Sequence, residues 1–206
     1  IRGHYIRQVK RKINNAKNLK IIAITGSYGK TSFKNYLYSL LCGKYNVLKT
    51  PGSVNTPLGI FKFINNNLTP YEDILILELG VDAPNTMKKF FKMFRPTIGI
   101  VTAIGEMHLA TFKNINNIQK EKLSLFDEVS DPIGMFYNKD SPYMDLDPNY
   151  KKIAHPYSLN DVSNITYSIN GTEFTYKNNK CIVNLLGKYQ LTNLIGAIKV
   201  SEYLGL

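Results

Sequence analysis

At 206 residues the chain is long enough for one well-cored domain and too short for two large ones. A hydrophobic share of 44% with 20% charged residues is globular composition, no apolar run approaches the ~20 residues of a membrane span, and no signal-peptide pattern opens the chain. The net charge of +11 raises nucleic acid as a partner, but the lysines are scattered among asparagines and isoleucines, and no helix-turn-helix, zinc-finger or aromatic RNA-binding signature accompanies them.

Taken in chain order, Ile6, Val9, Ile13 and Ala16 recur at helical spacing in a strongly basic stretch, which predicts a connector helix over residues 1–19. Ile21–Thr25 is a short isoleucine-rich run that reads as a buried strand. Gly26 and Gly29 turn it, and Lys30, Thr31 and Ser32 open an amphipathic helix through Lys34–Cys42. Strands at Tyr45–Lys49, Ile74–Leu79 and Ile98–Thr102 then precede helices at about Pro57–Asn66, Thr86–Phe94 and Ile115–Val129, with a further strand at Ile133–Tyr137. After Ser158 the pattern shortens. Asn164–Ser168, Glu173–Tyr176 and Ile182–Leu186 read as an antiparallel meander, and Gln190–Tyr203 as a closing amphipathic helix. The predicted fold class is α/β: a parallel sheet flanked by helices, with a small antiparallel meander near the C-terminus. Cys42 and Cys181 are far apart and form no CxxC pair, so they read as reduced core residues of a cytoplasmic protein.

The strand–turn–helix around Gly26, Ser27, Tyr28, Gly29, Lys30, Thr31 and Ser32 is the arrangement a polyphosphate needs. N–H groups of the turn and first helical turn point at the anion, Lys30 neutralises charge, and the Thr31 hydroxyl can ligate Mg²⁺. The general P-loop pattern places a glycine where Ile24 stands. Glu78 ends an apolar strand, at the edge where open α/β sheets bind ligands; it could hold Mg²⁺ there or simply mark an exit to solvent. His108 follows the strand Ile98–Thr102, and Lys120 and Lys122 lie on the next helix; alone, these could equally be solvated groups. Pro51–Pro57 is either an ordinary turn or a substrate loop.

Set side by side, these segments resemble the Mur ligase family, ATP-dependent enzymes that form amide bonds in peptidoglycan synthesis. Thr25-Gly26-Ser27-Tyr28-Gly29-Lys30-Thr31-Ser32 is similar to the family's shortened P-loop, and Thr50–Gly59 to the substrate loop after its second strand. Glu78-Leu79-Gly80 is similar to its magnesium-binding strand end, and His108-Leu109-Ala110-Thr111-Phe112 with Lys122 to its histidine and downstream lysine. Leu186–Asn193 is similar to the segment that closes the central domain, with Lys188 and Gln190 in place of the family's Arg and first Asn. The match runs from about Lys20 to the C-terminus. The His-Leu-x-x-Phe form and the Asn-Thr-Pro loop are most similar to members that add D-Ala-D-Ala to a UDP-linked muramoyl tripeptide.

The resemblance implies ATP as cosubstrate and two Mg²⁺ sites. Thr31 and Glu78 would serve the first, and His108 with a carbamylated Lys122 the second. Asn55 and Thr56 would lie near the UDP-linked peptide, and Asn193 near the adenosine end of the nucleotide. Residues 20–206 would be the central ATP-binding domain. The family's N-terminal UDP-binding domain and C-terminal domain have no counterpart, and the chain opens on Ile1, so a fragment inactive alone is expected. Two other classes stay open: a P-loop kinase or simple NTPase, and a binding module with a decayed site. Within the family, another amino-acid-adding or folylpolyglutamate-synthase-like member is also open.

Overall fold

A computed structural model describes residues 2–206 of the chain; residue 1 of the expected connector lies outside the described residues. Helix α1 spans Arg2–Asn15, and its Val9 is fully buried against the domain. The sheet then forms from β1 (Lys20–Thr25), β2 (Val47–Lys49), β3 (Ile74–Glu78), β4 (Ile98–Val101), β5 (Met135–Asn138) and β6 (His155–Tyr157). All neighbours are parallel, in the order β2-β3-β1-β4-β5-β6.

Helices α2 (Lys30–Leu41), α3 (Pro57–Asn67), α4 (Thr86–Phe91), α5 (Leu109–Phe112), α6 (Ile115–Leu123) and α7 (Pro148–Lys151) fall between the strands. Side chains alternate across the strands, so each sheet face builds its own core. Ile21, Ala23, Leu75 and Leu77 face α1, α3 and α4. Ile22, Ile24, Ile74 and Ile76 face α2 and α8 (Lys188–Tyr203). That is why these strands read as continuous apolar runs. The meander β7 (Ser163–Ser168), β8 (Gly171–Tyr176) and β9 (Asn179–Val183) is antiparallel and packs Phe174 into the second core.

Several boundaries differ from the sequence reading. The third meander strand begins at Asn179, because Lys177 and Asn178 take φ of +46° and +65° and close a two-residue hairpin turn between Tyr176 and Asn179. The helix predicted to reach Val129 ends at Leu123, where Ser124 Oγ donates to Glu121 O (2.7 Å); a short 3₁₀ turn follows at Phe126–Glu128. Strand β6 was not predicted: it has three residues, one of them Pro156, which an edge strand tolerates. The cysteines are not core residues. Cys42 is exposed at the end of α2, and Cys181 is half-buried on β9. Among the described residues no helix is long and apolar enough to cross a membrane.

Candidate active site

Strand β1 delivers the chain to the carboxyl edge of the sheet, where it must turn within four residues to start α2. Gly26 makes the turn at φ +151°, and a Cβ there would lie 2.1 Å from Thr102 Oγ1. Only glycine lets the loop pass this close to the end of β4. Gly29, at φ +82°, stands immediately before α2, and a Cβ on it would lie 2.7 Å from Asn193 Nδ2 of α8. Thr102 Oγ1 donates to Tyr28 O (2.6 Å), and Ser27 N–H donates to Ala103 O (2.5 Å). Ser27 Oγ donates to Gly105 O (2.9 Å) and accepts from Gly105 N–H (3.0 Å).

These bonds correct one expectation. The Ser27 N–H and hydroxyl are both spent on the segment after β4, so this residue holds the loop's shape while its N–H is unavailable to an anion. The first N–H groups of α2, on Lys30, Thr31 and Ser32, have no acceptor within the helix. They and the helix dipole supply the positive potential a polyphosphate needs.

Glu78 ends β3 beside this loop. The residue is 1% exposed, so it does not mark an exit to solvent. Oε2 accepts from the Thr31 hydroxyl (2.9 Å) and from the Lys34 ammonium (2.8 Å), and Oε1 accepts from Asn55 Nδ2 (3.2 Å). Lys34 also donates to Gly52 O (2.5 Å). One carboxylate therefore ties α2, β3 and the loop after β2 together. Between them lies a crevice of about 250 Å³, lined among others by Gly26, Lys30, Asn55, Asp82, His108 and Lys122. Lys30 Nζ donates to Gly26 O (2.8 Å) and Ser27 O (3.3 Å), while Lys122 Nζ donates to Gly26 O (3.2 Å) and Val81 O (3.4 Å). Two amines from distant parts of the chain thus meet at one carbonyl of the loop.

A family profile described as the Mur ligase middle domain matches residues 24–201. The chain belongs to the Mur ligase family. The UDP-N-acetylmuramoyl-tripeptide–D-alanyl-D-alanine ligase of Borreliella burgdorferi is 31% identical over 204 residues, covering 92% of this chain and 42% of that protein. Among solved structures, MurF from Acinetobacter baumannii matches with a TM-score of 0.85 at 22% identity, covering 100% of this chain and 47% of that one. MurF ligase from Thermotoga maritima in complex with ADP matches with a TM-score of 0.77 at 24% identity, over 99% of this chain and 49% of that one. These two likenesses show the fold. The chain spans under half the length of each of these three proteins.

Of the residues the Mur ligase resemblance singles out, Gly26, Ser27, Lys30, Asn55, Thr56, His108 and Lys122 line the crevice; Thr31 and Glu78 lie behind that lining, bonded to each other, with Glu78 Oε1 accepting from Asn55. His108 reaches the crevice from φ +61°, at the start of α5. Thr56 is largely committed to caps: its hydroxyl accepts from Gly59 N–H (3.1 Å) to start α3. Tyr28 is exposed and lays its ring over Gly105, outside the crevice. Asn193 backs Gly29, and Gln190 accepts from Tyr36 OH (2.7 Å), joining α8 to α2.

Sequence reasoning missed Lys34 and Asp82. Lys34 had a signal, since i+4 from Lys30 places both on one face of the helix. Asp82 had only its position just beyond a strand end.

The donor set suits a hard cation. Thr31 and Glu78 offer oxygens, and among the described residues no group of three His, Cys, Asp or Glu could hold a metal unaided. Mg²⁺ characteristically takes one or two carboxylates and completes its shell with phosphate and water.

Burial, reinforced by the charge of Lys30, pushes Lys122 down to about 7, against the pull of Glu121 and Asp82. Burial likewise lowers Lys30, with Glu78 opposing. An unfolded lysine titrates near 10.4, so between about pH 7 and 10 the unfolded chain holds the extra proton and stability rises with pH. The thermal midpoint is therefore expected to climb between about pH 7 and 9, more steeply in the wild type than in Lys122→Met. Melting curves across that range check it; equal slopes in the two proteins would contradict it.

Proposed function

We propose that this chain is the ATP-binding core of a ligase that joins D-alanyl-D-alanine to a UDP-N-acetylmuramoyl tripeptide in cytoplasmic peptidoglycan-precursor synthesis. In this reading residues 1–19 are a connector, residues 20–206 are the central domain, and further chain grips the UDP moiety and brings the amine. The observation that carries it is the meeting of Lys30 and Lys122 at the Gly26 carbonyl beside the Thr31–Glu78 pair. A kinase or simple NTPase needs the first lysine; the second, buried and tuned toward neutrality, has no task in simple phosphoryl transfer. The name of the Borreliella burgdorferi relative supports the choice of substrates.

The chemical difficulty is charge, because a carboxylate must approach an anionic nucleotide, so positioning and electrostatics dominate. Lys30 and the first N–H groups of α2 would hold the β- and γ-phosphates, with Asn193 behind the loop toward the adenosine end. Thr31 and Glu78 would hold a Mg²⁺, which when bound offsets phosphate charge. Asn55, beside Glu78, and Thr56 would face the UDP-linked peptide. A carboxylate oxygen of the peptide attacks the γ-phosphorus and ADP leaves. The amine nitrogen then attacks the acyl carbon, phosphate leaves with the bonding pair, and the amine loses a proton.

Lys122 acts as its carbamate: the neutral Nζ attacks CO₂, the nitrogen loses a proton, and the amine becomes an anionic carbamate with two oxygen donors. With His108 it would serve a second Mg²⁺. Only a neutral amine can react, which is what burial beside Lys30 favours.

In the complete enzyme, phosphate release is expected only when ATP, UDP-muramoyl tripeptide and D-Ala-D-Ala are all present; equal release without the amine would mark a kinase or NTPase. Lys122→Ala is expected to lose at least about a hundredfold in turnover, with partial recovery on adding short carboxylates such as formate or acetate. Turnover that stays undiminished at low bicarbonate would make this lysine a packing residue.

A further inference from the structure

Nucleotide binding makes use of Lys30, Thr31 and Glu78, and none of these needs a second lysine sealed behind them. Lys34 is nevertheless 1% exposed and paired with Glu78 Oε2 at 2.8 Å, its remaining reach spent on Gly52 O. Stability alone is a weak reason for such a pair, since apolar replacement of a buried ion pair is often neutral or favourable. The pair sits on Oε2, which also accepts from Thr31, while Oε1 accepts only from Asn55; whichever oxygen a metal approaches, the carboxylate already carries a full positive neighbour. Lys30 and Lys122 bring amines to the adjoining crevice, where Asp82 is the one lining carboxylate among the described residues and Glu78 lies behind Asn55.

A divalent cation arriving alone meets that ammonium in a buried, weakly screened site. A cation arriving with a polyphosphate brings the negative charge that offsets it. We propose that Lys34 makes divalent-cation binding at Glu78 conditional on nucleotide. It holds the carboxylate neutralised and in place until metal and phosphates enter together. Lys34 is thus a positioning residue that acts through Glu78, and the proposal rests on the reading of Glu78 as a metal ligand.

The test is a Mn²⁺ titration of the full chain without nucleotide, followed by electron paramagnetic resonance of the free ion. The wild type is expected to bind weakly, Lys34→Met at least about tenfold tighter, and Lys34→Arg, which keeps the charge, like the wild type. A purely structural lysine would give no gain in Lys34→Met, and an unchanged or weaker affinity there overturns the proposal. If Lys34→Met does not fold unaided, millimolar Mn²⁺ without nucleotide must restore its melting transition, and failure to do so overturns it equally. A parallel titration with ADP present separates the two levels of the reading. Glu78→Gln should abolish ADP-dependent Mn²⁺ binding. If it does not, the metal-ligand reading falls and the proposal with it; if it does while Lys34→Met shows no gain, only the conditional role of Lys34 falls.

Discussion

Lys30→Ala is expected to abolish the stabilisation that Mg²⁺-ATP confers while leaving the unliganded fold intact. The Lys30 amine is held by two carbonyls of its own loop, Gly26 O and Ser27 O, and burial lowers its pKa. Truncating it therefore strands no buried carboxylate, and the unliganded midpoint should stay within about 2 °C. On the proposed function the same amine would be the chain's main charge against the transferred phosphate in the bound state. At a ligand concentration near one hundred times Kd, linkage gives about 2.7 kcal/mol, or roughly 5–10 °C for a domain of this size. The variant should show about 1 °C or less at the same concentration. A thermal-shift titration decides it, and an undiminished shift in Lys30→Ala would remove the phosphate-loop assignment.

The largest stability effect is expected at Glu78. Its carboxylate and the Lys34 ammonium are both almost wholly excluded from solvent. Glu78→Ala leaves that ammonium buried with only Gly52 O for a partner, and breaking a buried pair this way costs about 3–5 kcal/mol. It also frees the Thr31 hydroxyl and Asn55 amide, so helix α2 and the loop after β2 lose their common anchor. In urea unfolding the double variant Glu78→Ala/Lys34→Met should recover most of the loss, because no unpaired charge remains. If the double variant is as unstable as the single one, the cost lies in packing and not in the stranded charge.

How much of this was legible beforehand depended on how local each feature is. Strand β1, the turn at Gly26 and Gly29, and the start of α2 are written in adjacent residues: an isoleucine run, two glycines and a lysine. The choice of Lys122 over Lys120 was also accessible, and the two differ in the structure as the helical period requires: Lys122 is buried and Lys120 exposed. Lys34 was not legible as a partner of Glu78, because its burial is decided by a carboxylate 44 positions away. Ser27 looked like a phosphate ligand from its place in the loop, and only the return of the chain at Gly105, 78 positions on, shows its hydroxyl already taken. Strand β6 escaped because three residues containing a proline have no period to read, and its pairing with β5 supplies the order that the segment itself lacks.

The central claim is that the crevice at the ends of β1, β3 and β4 is a Mg²⁺-nucleotide site. A crystal structure of the chain with Mg²⁺ and a non-hydrolysable ATP analogue tests it most directly. The expected result is the β- and γ-phosphates against the first N–H groups of α2 and the Lys30 amine, with the metal touching both the Thr31 hydroxyl and the Glu78 carboxylate. A nucleotide bound elsewhere, or a metal held by neither of those two side chains, would contradict it.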